Sequence, residues 1–297
     1  MTNTSKTIVF FGTDEFSAVS LRELIDKGFV ISAVVTKPDS RKGRGRELSK
    51  SIVKEIAEAH AIPVLQPVKV TEITEEIKKL DSPVGVLVSY GKIIPQSVID
   101  LFSPGIINVH PSLLPLYRGP SPVESAILNG DTETGVTIMQ LSAAMDAGPM
   151  YKQVLYRLND TETAPELEVE LASLGAQELT SILPSIISGA LQPTPQNDDI
   201  ATYCKLLSKE ESLLKTDQLT AEQAERQVRA YLAFPKTKVI IEGHQVVITK
   251  AHVVSENSSA LSVQCADGRF LAIDELIGPS GKPMNAKAFI NGYLGKK

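Results

Sequence analysis

The sequence lacks the features that mark zinc, disulfide-bonded or membrane proteins. Its 297 residues include only two cysteines, Cys204 and Cys265, which stand alone without the paired spacing of a zinc site or a disulfide framework. Two isolated thiols are typical of a reducing compartment. No apolar run approaches the roughly 18 residues of a membrane-spanning helix, and the apolar run before Asp14 is too short for a signal peptide. We therefore expect a cytoplasmic protein with no membrane partner.

Several motifs of common enzyme classes are also absent. The first apolar strand ends in FFGTDEFS with a single Gly12, whereas a dinucleotide fingerprint needs GxGxxG at this turn. No GxSxG motif is present, which argues against a serine nucleophile on an elbow turn. No metal is expected, because none of three further histidines has a ligand partner at suitable spacing; they are His60, His244 and His252.

Negative charge is in slight excess but unevenly distributed. The net charge is −5 and the isoelectric point about 5.5, which argues against a generally basic nucleic-acid-binding surface. Residues 206–297 nevertheless carry 12 Lys or Arg against 10 Asp or Glu, whereas residues 1–205 carry 18 against 25. A mildly basic part therefore follows an acidic one.

The first two thirds of the chain alternate between strand and helix patterns. TIVFFG, VISAVVTKP, VGVLVSYG and GIINVHPS are apolar runs typical of buried parallel strands, and amphipathic segments such as EFSAVSLRELIDKG separate them. VTIMQLS and GPMYKQVLY predict two more strands. Residues 164–189 predict a helix that either continues through Pro184 or breaks near it. The alternation predicts an α/β fold with a doubly wound, mostly parallel, Rossmann-like sheet.

The composition changes after residue 189. ALQPTPQNDDIATY is rich in Pro, Asn and Asp, as linkers are, and a helical segment and short alternating strands with turn residues follow it. The short strands are typical of a small β-barrel. We predict a first domain over residues 1–189, a linker over 190–205 and a smaller OB-like β-barrel domain over 206–297.

The segment INVHPSLLPLYRGPSP places an amide and an imidazole two residues apart. Asn108 and His110 lie near the carboxyl end of a predicted strand, where parallel sheets bind ligands. Residues i and i+2 of a strand face the same side, so both can enter one crevice. Histidine transfers protons near neutral pH, and an asparagine amide can donate to an oxyanion. A half-buried histidine bonded to a loop carbonyl is the alternative.

Two loops add charged candidates. In AAMDAGPM, Asp146 could orient and charge-stabilise an imidazole, although a turn-capping Asp before Gly is the commoner use. If Asn108, His110 and Asp146 converge, they suit direct acyl transfer to an incoming nucleophile. The loop TKPDSRKGRGRELSK, residues 36–50, holds six cations against two acids, which suits phosphate binding, while a solvated surface loop is the alternative.

The motifs together resemble one superfamily. NVHPSLLPLYRGPSP, GDTETGVTIMQL and MDAGPM are similar to the folate-dependent formyltransferases, and FFGTDEFS, VVTKPDSRKGRGREL, VSYGKIIP and TYCKLLSKEES resemble the methionyl-tRNA formyltransferase family within them. The resemblance has strong motifs over residues 7–212 and is weaker beyond. The chain departs from the family pattern at Asp14, at Pro149 and in its lack of tryptophan.

The resemblance implies an activity in translation initiation. The formyl group of 10-formyltetrahydrofolate, a co-substrate, would pass to the α-amino group of initiator methionyl-tRNA in a monomeric transferase. The implied catalytic residues are Asn108, His110 and Asp146. The implied folate-binding residues are Ser112, Leu113, Leu114, Pro115, Val88, Tyr90 and Gly91. The implied tRNA contacts are Arg41, Lys42, Arg44 and Arg46, with the carboxyl-terminal domain adding phosphate contacts.

Three alternatives remain open. An amino-sugar nucleotide formyltransferase or a formyltetrahydrofolate hydrolase would keep the same core and use a different acceptor. A non-catalytic folate- or RNA-binding module belongs to another class. The basic loop and the second domain favour tRNA as the acceptor, and the intact Asn-His-Asp set favours catalysis.

Overall fold

A computed structural model describes residues 6–42, 47–257 and 259–295 of the chain. The fold divides into two compact units. The larger unit comprises Met1–Arg118, Gly135–Tyr156 and Glu168–Tyr203. The smaller unit comprises Gly119–Thr134, Arg157–Leu167 and Cys204–Lys297. The predicted domains are continuous ranges of the chain, whereas each compact unit combines three separate ranges. The predicted domain boundaries therefore stay a prediction.

Strands and helices alternate through the first half of the chain. In order they are β1 (Ile8–Phe11), α1 (Glu15–Asp26), β2 (Ile31–Val35), β3 (Ser40–Lys42), β4 (Glu47–Ser49), α2 (Ile52–Ala59), β5 (Val64–Leu65), α3 (Thr74–Lys78), β6 (Val84–Leu87), α4 (Gln96–Ile99), β7 (Ile106–His110) and α5 (Pro122–Asn129). A 3₁₀ turn, Val70–Ile73, precedes α3.

The second half contains one long helix and a second sheet. In order the elements are β8 (Glu133–Gln140), β9 (Met150–Arg157), α6 (Ala164–Ile187), α7 (Ala221–Ala230), β10 (Thr237–Ile241), β11 (His244–Val254), β12 (Ser262–Gln264), β13 (Phe270–Ile277), β14 (Pro283–Asn285) and α8 (Ala286–Phe289). Two 3₁₀ turns, Asp198–Ile200 and Lys209–Ser212, precede α7, and a π-helical turn, Ile290–Leu294, follows α8.

A seven-stranded sheet organises the larger unit. Its order is β5-β2-β1-β6-β7-β8-β9, with β5 to β7 parallel and β8 antiparallel to β7. The predicted α/β class and mostly parallel sheet are confirmed. The chain moves outward from β1 to β5 and then crosses to β6, so the order reverses between β1 and β6. In open sheets of this kind ligands bind beside that reversal, outside the carboxyl ends of the strands.

The apolar runs form strands because both faces of the sheet are buried. Every residue of β1 and of β7 is buried, and side chains of Val9, Phe11, Tyr90 and Ile106 share one core cluster. Period-two alternation is therefore absent from these strands, as expected for a parallel sheet covered on both sides.

Helix α6 continues through Pro184 without the break that the sequence left open. Proline removes one backbone donor and crowds the preceding turn. Here it lies in the last turn on the exposed side, while Leu179, Leu183 and Ile186 are buried on the inner side. The apolar face thus keeps the final turn in place.

The smaller unit contains an antiparallel sheet of order β10-β11-β13-β12, with β14 paired to β13. Helix α7 begins with a capping box in which Thr220 and Gln223 bond each other's backbone N–H groups. Buried residues of α7, β11 and β13 form its core. The predicted helix and small carboxyl-terminal β-domain are confirmed, whereas α5 was not predicted. Within the described ranges, no helix is long and apolar enough to cross a membrane.

Asp14, which departs from the family pattern, has a structural role. Its carboxylate caps α1 by accepting from the Ser17 N–H at 3.1 Å, and it also accepts from the Ser89 hydroxyl. We expect Asp14→Ala to lower the free energy of unfolding by about 1–2 kcal/mol, because it removes both bonds. Asp14→Asn keeps a capping oxygen and should lose less than half as much. Urea titration followed by circular dichroism checks both, and equal losses would contradict the capping role.

Candidate active site

Strand β7 delivers the first two candidate residues. It pairs with β6 on one side and β8 on the other, and Asn108 lies opposite Leu87 and Met139. Asn108 and His110 are each 5% exposed. Being two residues apart on one strand, their side chains project to the same face of the sheet.

The His110 ring lies between two hydrogen-bond acceptors. Its Nε2 lies 2.9 Å from the Tyr117 carbonyl oxygen, and its Nδ1 lies 3.8 Å from Asp146 Oδ2. A carbonyl and a carboxylate can only accept hydrogen bonds, so a proton on either ring nitrogen would face an acceptor. The structure therefore brings His110 and Asp146 together.

Asp146 occupies a strained turn after β8. Its φ of 48° lies in the left-handed region, which non-glycine residues adopt rarely. Two residues later, a Cβ on Gly148 would overlap the carbonyl oxygen of Gln140. Only a glycine at this position lets the chain that follows Asp146 pass so close to the end of β8. Pro149, a departure from the family pattern, bonds the Gln140 N–H through its carbonyl at 2.8 Å.

The Asn108 amide completes the set. Among the residues that the structure describes, no protein group forms a hydrogen bond with the Asn108 side chain. A nearly buried amide without a protein partner is costly unless a ligand or water uses it. Its N–H donors are therefore available beside the imidazole.

Side chains of β8 and β9 hold the segment Ser112–Pro115 through hydrogen bonds to its backbone. Thr137 of β8 donates to the Ser112 carbonyl at 2.7 Å and accepts from the Leu114 N–H at 3.1 Å. Gln153 donates to the Leu114 carbonyl at 2.7 Å. Ser112, Leu114 and Pro115 are buried and Leu113 is half-buried. Leu113 is therefore the member of this segment that a ligand can reach most directly.

The segment after β6 is split between core and surface. Val88 and Tyr90 are fully buried, and the Tyr90 ring packs edge-on against Phe11 with ring centroids 5.7 Å apart. The Tyr90 hydroxyl has no hydrogen-bond partner among the described residues, and burial raises its pKa to about 12. Gly91 is exposed, and a Cβ there would overlap the ammonium group of Lys37. The backbone around Gly91, rather than the two buried side chains, faces solvent.

Two of the candidate tRNA contacts lie on a described strand. Arg41 and Lys42 belong to β3, which pairs with β4. Arg44 and Arg46 lie outside the described residues. Within residues 6–42, 47–257 and 259–295, no group of three or more His, Cys, Asp or Glu side chains could hold a metal ion.

Sequence reasoning missed Arg118, Gln196 and Thr202. Arg118 is 2% exposed, and its guanidinium donates to Gln196 Oε1 at 2.8 and 3.0 Å and to Asp198 at 2.6 Å. Burial opposes the charge of Arg118, but its hydrogen bonds to Asp198 and Tyr203 outweigh that effect and hold its pKa above the ordinary value. An arginine directly after LLPLY was the one available signal.

The segment interpreted as a linker contacts both loops of the site. Thr202 bonds the Pro115 carbonyl through its N–H at 3.1 Å and accepts from the Tyr117 N–H through its hydroxyl at 2.8 Å. Gln196 donates to the carbonyls of Asp146 at 2.8 Å and Gly148 at 2.7 Å. The proline-rich composition of this segment resembled that of a linker, because composition does not reveal the partners of backbone hydrogen bonds.

The fold and the site define a class of enzyme. A doubly wound sheet presents an Asn-x-His pair facing an Asp loop, and the chain matches the formyl transferase domain over residues 5–183 and the formyl transferase carboxyl-terminal domain over residues 206–294. The chain belongs to the formyl transferase family.

Its relatives are more specific. The chain is 39% identical to a methionyl-tRNA formyltransferase of Pelobacter propionicus, over 97% of this chain and 93% of that protein. It is 37% identical to the methionyl-tRNA formyltransferase of Lactobacillus acidophilus, over 97% and 96%. It also resembles the fold of an N-formyltransferase from Helicobacter canadensis, with a TM-score of 0.69 and 20% identity over 90% of this chain and 98% of that one.

Gly148→Ala tests the geometry of the Asp146 loop. Because the added Cβ would overlap the Gln140 carbonyl, the loop must move, and we expect at least a 100-fold loss of turnover. The matched control is Gly292→Ala, since a Cβ on Gly292 meets nothing within 4 Å. Steady-state turnover of both variants is the measurement, and an active Gly148→Ala enzyme would contradict the role of the loop.

Proposed function

We propose that this protein transfers the formyl group of 10-formyltetrahydrofolate to the α-amino group of initiator methionyl-tRNA. The observation that carries the proposal is the His110 ring between Asp146 and the Tyr117 carbonyl, beside the Asn108 amide, which has no hydrogen-bond partner among the described residues. The relatives named methionyl-tRNA formyltransferase, matched almost end to end, support the choice of acceptor. We also propose that the protein acts in the cytoplasm, where initiator tRNA is used; its monomeric state stays a prediction.

The acceptor amine is the nucleophile. A free α-amino group titrates near pH 8, so its neutral form is accessible close to neutrality. Its nitrogen attacks the formyl carbon, and the formyl oxygen gains negative charge. The Asn108 amide and the His110 imidazolium donate hydrogen bonds to that oxygen, which are stronger in the transition state than in the ground state. Binding of the donor carbonyl offers His110 Nε2–H an acceptor in place of Tyr117.

The second half of the reaction returns a proton. The carbonyl re-forms, the bond between the formyl carbon and N10 of the folate breaks, and the proton lost by the amine passes to N10. Atoms and charge balance without a covalent enzyme intermediate. His110 relays this proton, and Asp146 keeps the imidazole oriented.

The donor is placed at the reversal of strand order. Two features there suit a flat heterocycle with an acidic tail, namely the exposed backbone at Gly91 and the Lys37 ammonium next to it. The Leu113 side chain adds an apolar contact from the rigid Ser112–Pro115 segment. Val88 and Tyr90 shape the site from within the core, because their side chains are fully buried.

The tRNA is recognised through the basic hairpin and the carboxyl-terminal domain. The base of the hairpin is fixed by Lys54, which donates to Asp39 and to Gln66 at 2.7 Å each. Gln66 in turn donates to Asp39 at 2.7 Å. The hydrogen bond from Lys54, which has the larger effect, and the hydrogen bond from Gln66 both lower the pKa of Asp39. In this proposal the cations Arg41, Lys42, Arg44 and Arg46 contact the acceptor end of the tRNA. Residues 206–297 would add phosphate contacts.

The deciding experiment compares three acceptors. The purified protein is given 10-formyltetrahydrofolate with charged initiator methionyl-tRNA, with an amino-sugar nucleotide, or with neither. Rapid formylation of the tRNA alone is expected. Turnover with the sugar nucleotide or with water, and none with tRNA, would retain the active site and contradict the proposed acceptor.

His110→Ala tests the proposed oxyanion donor. It removes both the hydrogen bond to the oxygen and the proton relay, so we expect kcat to fall by about 10³-fold. The dissociation constant of the folate, measured by calorimetry, should change less than threefold, because His110 is placed at the reacting carbonyl. Turnover at the wild-type rate in His110→Ala would rule out this role.

Replacing Arg41, Lys42, Arg44 and Arg46 by Gln tests the hairpin. We expect KM for tRNA to rise at least tenfold, its dependence on salt to become shallower, and KM for folate to stay unchanged, because phosphate contacts release counterions. The matched control neutralises four exposed cations elsewhere, Lys27, Lys78, Lys79 and Arg157. An equal effect of both sets would show that overall charge matters rather than the hairpin.

A further inference from the structure

We propose that Gln196 is the positioning residue for Asp146, and that through Asp146 it sets the orientation of the His110 imidazole. The inference deepens the proposed function, because it assigns to the former linker the task of holding the catalytic loop. It rests on the hydrogen bonds of Gln196 and on the burial of Arg118.

The side-chain amide of Gln196 is fully used. An amide has two N–H donors and one oxygen with two acceptor sites. Its nitrogen donates to the Asp146 carbonyl at 2.8 Å and the Gly148 carbonyl at 2.7 Å. Its oxygen accepts from Nε and Nη2 of Arg118 at 3.0 and 2.8 Å. Because carbonyls only accept and a guanidinium only donates, the amide has a single satisfactory orientation.

Arg118 makes Gln196 a rigid anchor. Its side chain is almost fully buried, and its charge is balanced by Asp198 at 2.6 Å, while Nη1 donates to the Tyr203 hydroxyl at 3.2 Å. A buried cation held by several partners has little freedom to move. The two donors of Gln196 are therefore presented from a fixed position.

The Asp146 loop contains two longer hydrogen bonds. The Ser142 hydroxyl donates to the Ala144 carbonyl at 3.1 Å, and the Ala147 N–H donates to the same carbonyl at 3.4 Å. Met145 is exposed, and Asp146 has a left-handed backbone. The hydrogen bonds from Gln196 are shorter and are made to the carbonyls of Asp146 and Gly148. They therefore act on the backbone that carries the Asp146 carboxylate.

The contacts close a ring around His110. Nδ1 faces Asp146, whose carbonyl binds Gln196; Gln196 binds Arg118, which follows Tyr117; and the Tyr117 carbonyl faces Nε2. One glutamine thus links the partners of both ring nitrogens. Loss of its donors would release one side of the imidazole.

Gln196→Glu is the most direct test. The carboxylate keeps an acceptor for Arg118 and so preserves the buried cation, but it cannot donate to the two carbonyls. We expect kcat for formyl transfer to fall by about 10- to 100-fold, with KM for folate and for tRNA within twofold of wild type. Gln196→Asn, a shorter amide that cannot span from Arg118 to the loop, should give a similar loss without adding charge.

Two comparisons separate positioning from general destabilisation. Gln192→Glu alters a glutamine of the same segment that donates to the Gly189 carbonyl at 2.7 Å, away from the Asp146 loop, and it should be active. If Gln196 acts through the Asp146 carboxylate, Gln196→Glu should add less than twofold to the loss caused by Asp146→Asn. Wild-type kcat in both Gln196 variants, or the same fold loss with and without Asp146→Asn, would overturn the proposal.

The proposed function can fail separately. The wild-type enzyme in the same assay reports whether tRNA is the acceptor, whereas the ratio of variant to wild type reports on Gln196. Should sugar nucleotide or water prove to be the acceptor, the same ratio is measured with that acceptor, and the expected ratio is unchanged.

Discussion

The catalytic proposal depends on one arrangement, a histidine ring whose two nitrogens face acceptors from two different loops. Nε2 faces the Tyr117 carbonyl at 2.9 Å and Nδ1 faces Asp146 at 3.8 Å. Neither acceptor can donate, so an N–H on either ring nitrogen would face an acceptor, and such an N–H can also donate to an oxyanion. The strand that carries His110 fixes the position of its Cα and the face to which the side chain projects. The orientation of the ring comes from the loops.

Most of the surrounding structure serves to hold these loops. Thr137 and Gln153 brace the Ser112–Pro115 segment from the sheet, and Thr202 and Gln196 brace Tyr117 and Asp146 from the other side. Donors that are already in place need no reorganisation when charge develops on the substrate, and this is the main source of electrostatic catalysis. A site built on loops can therefore be as well ordered as one built on strands.

The sequence allowed much of this to be predicted, and the limits have physical causes. The parallel strands were recognisable because both faces are buried, and the two-residue spacing of Asn108 and His110 placed them on one face. Gln196 could not be found, because its role arises from bonds to residues about 50 positions away. Tyr90 stays a predicted folate contact, and the sequence did not show that its side chain is buried in the core. Helix α5 was missed because prolines and glycines surround it in the sequence.

The most direct test of the His110 arrangement is the single-turnover rate of formyl transfer in Asp146→Asn with folate and methionyl-tRNA both saturating. Asparagine keeps the size of the side chain and removes the negative charge beside His110. We expect the rate to fall by about 10²- to 10³-fold while both substrates still bind with near wild-type affinity. A rate within threefold of wild type would contradict the assignment of His110 and Asp146 as a catalytic pair.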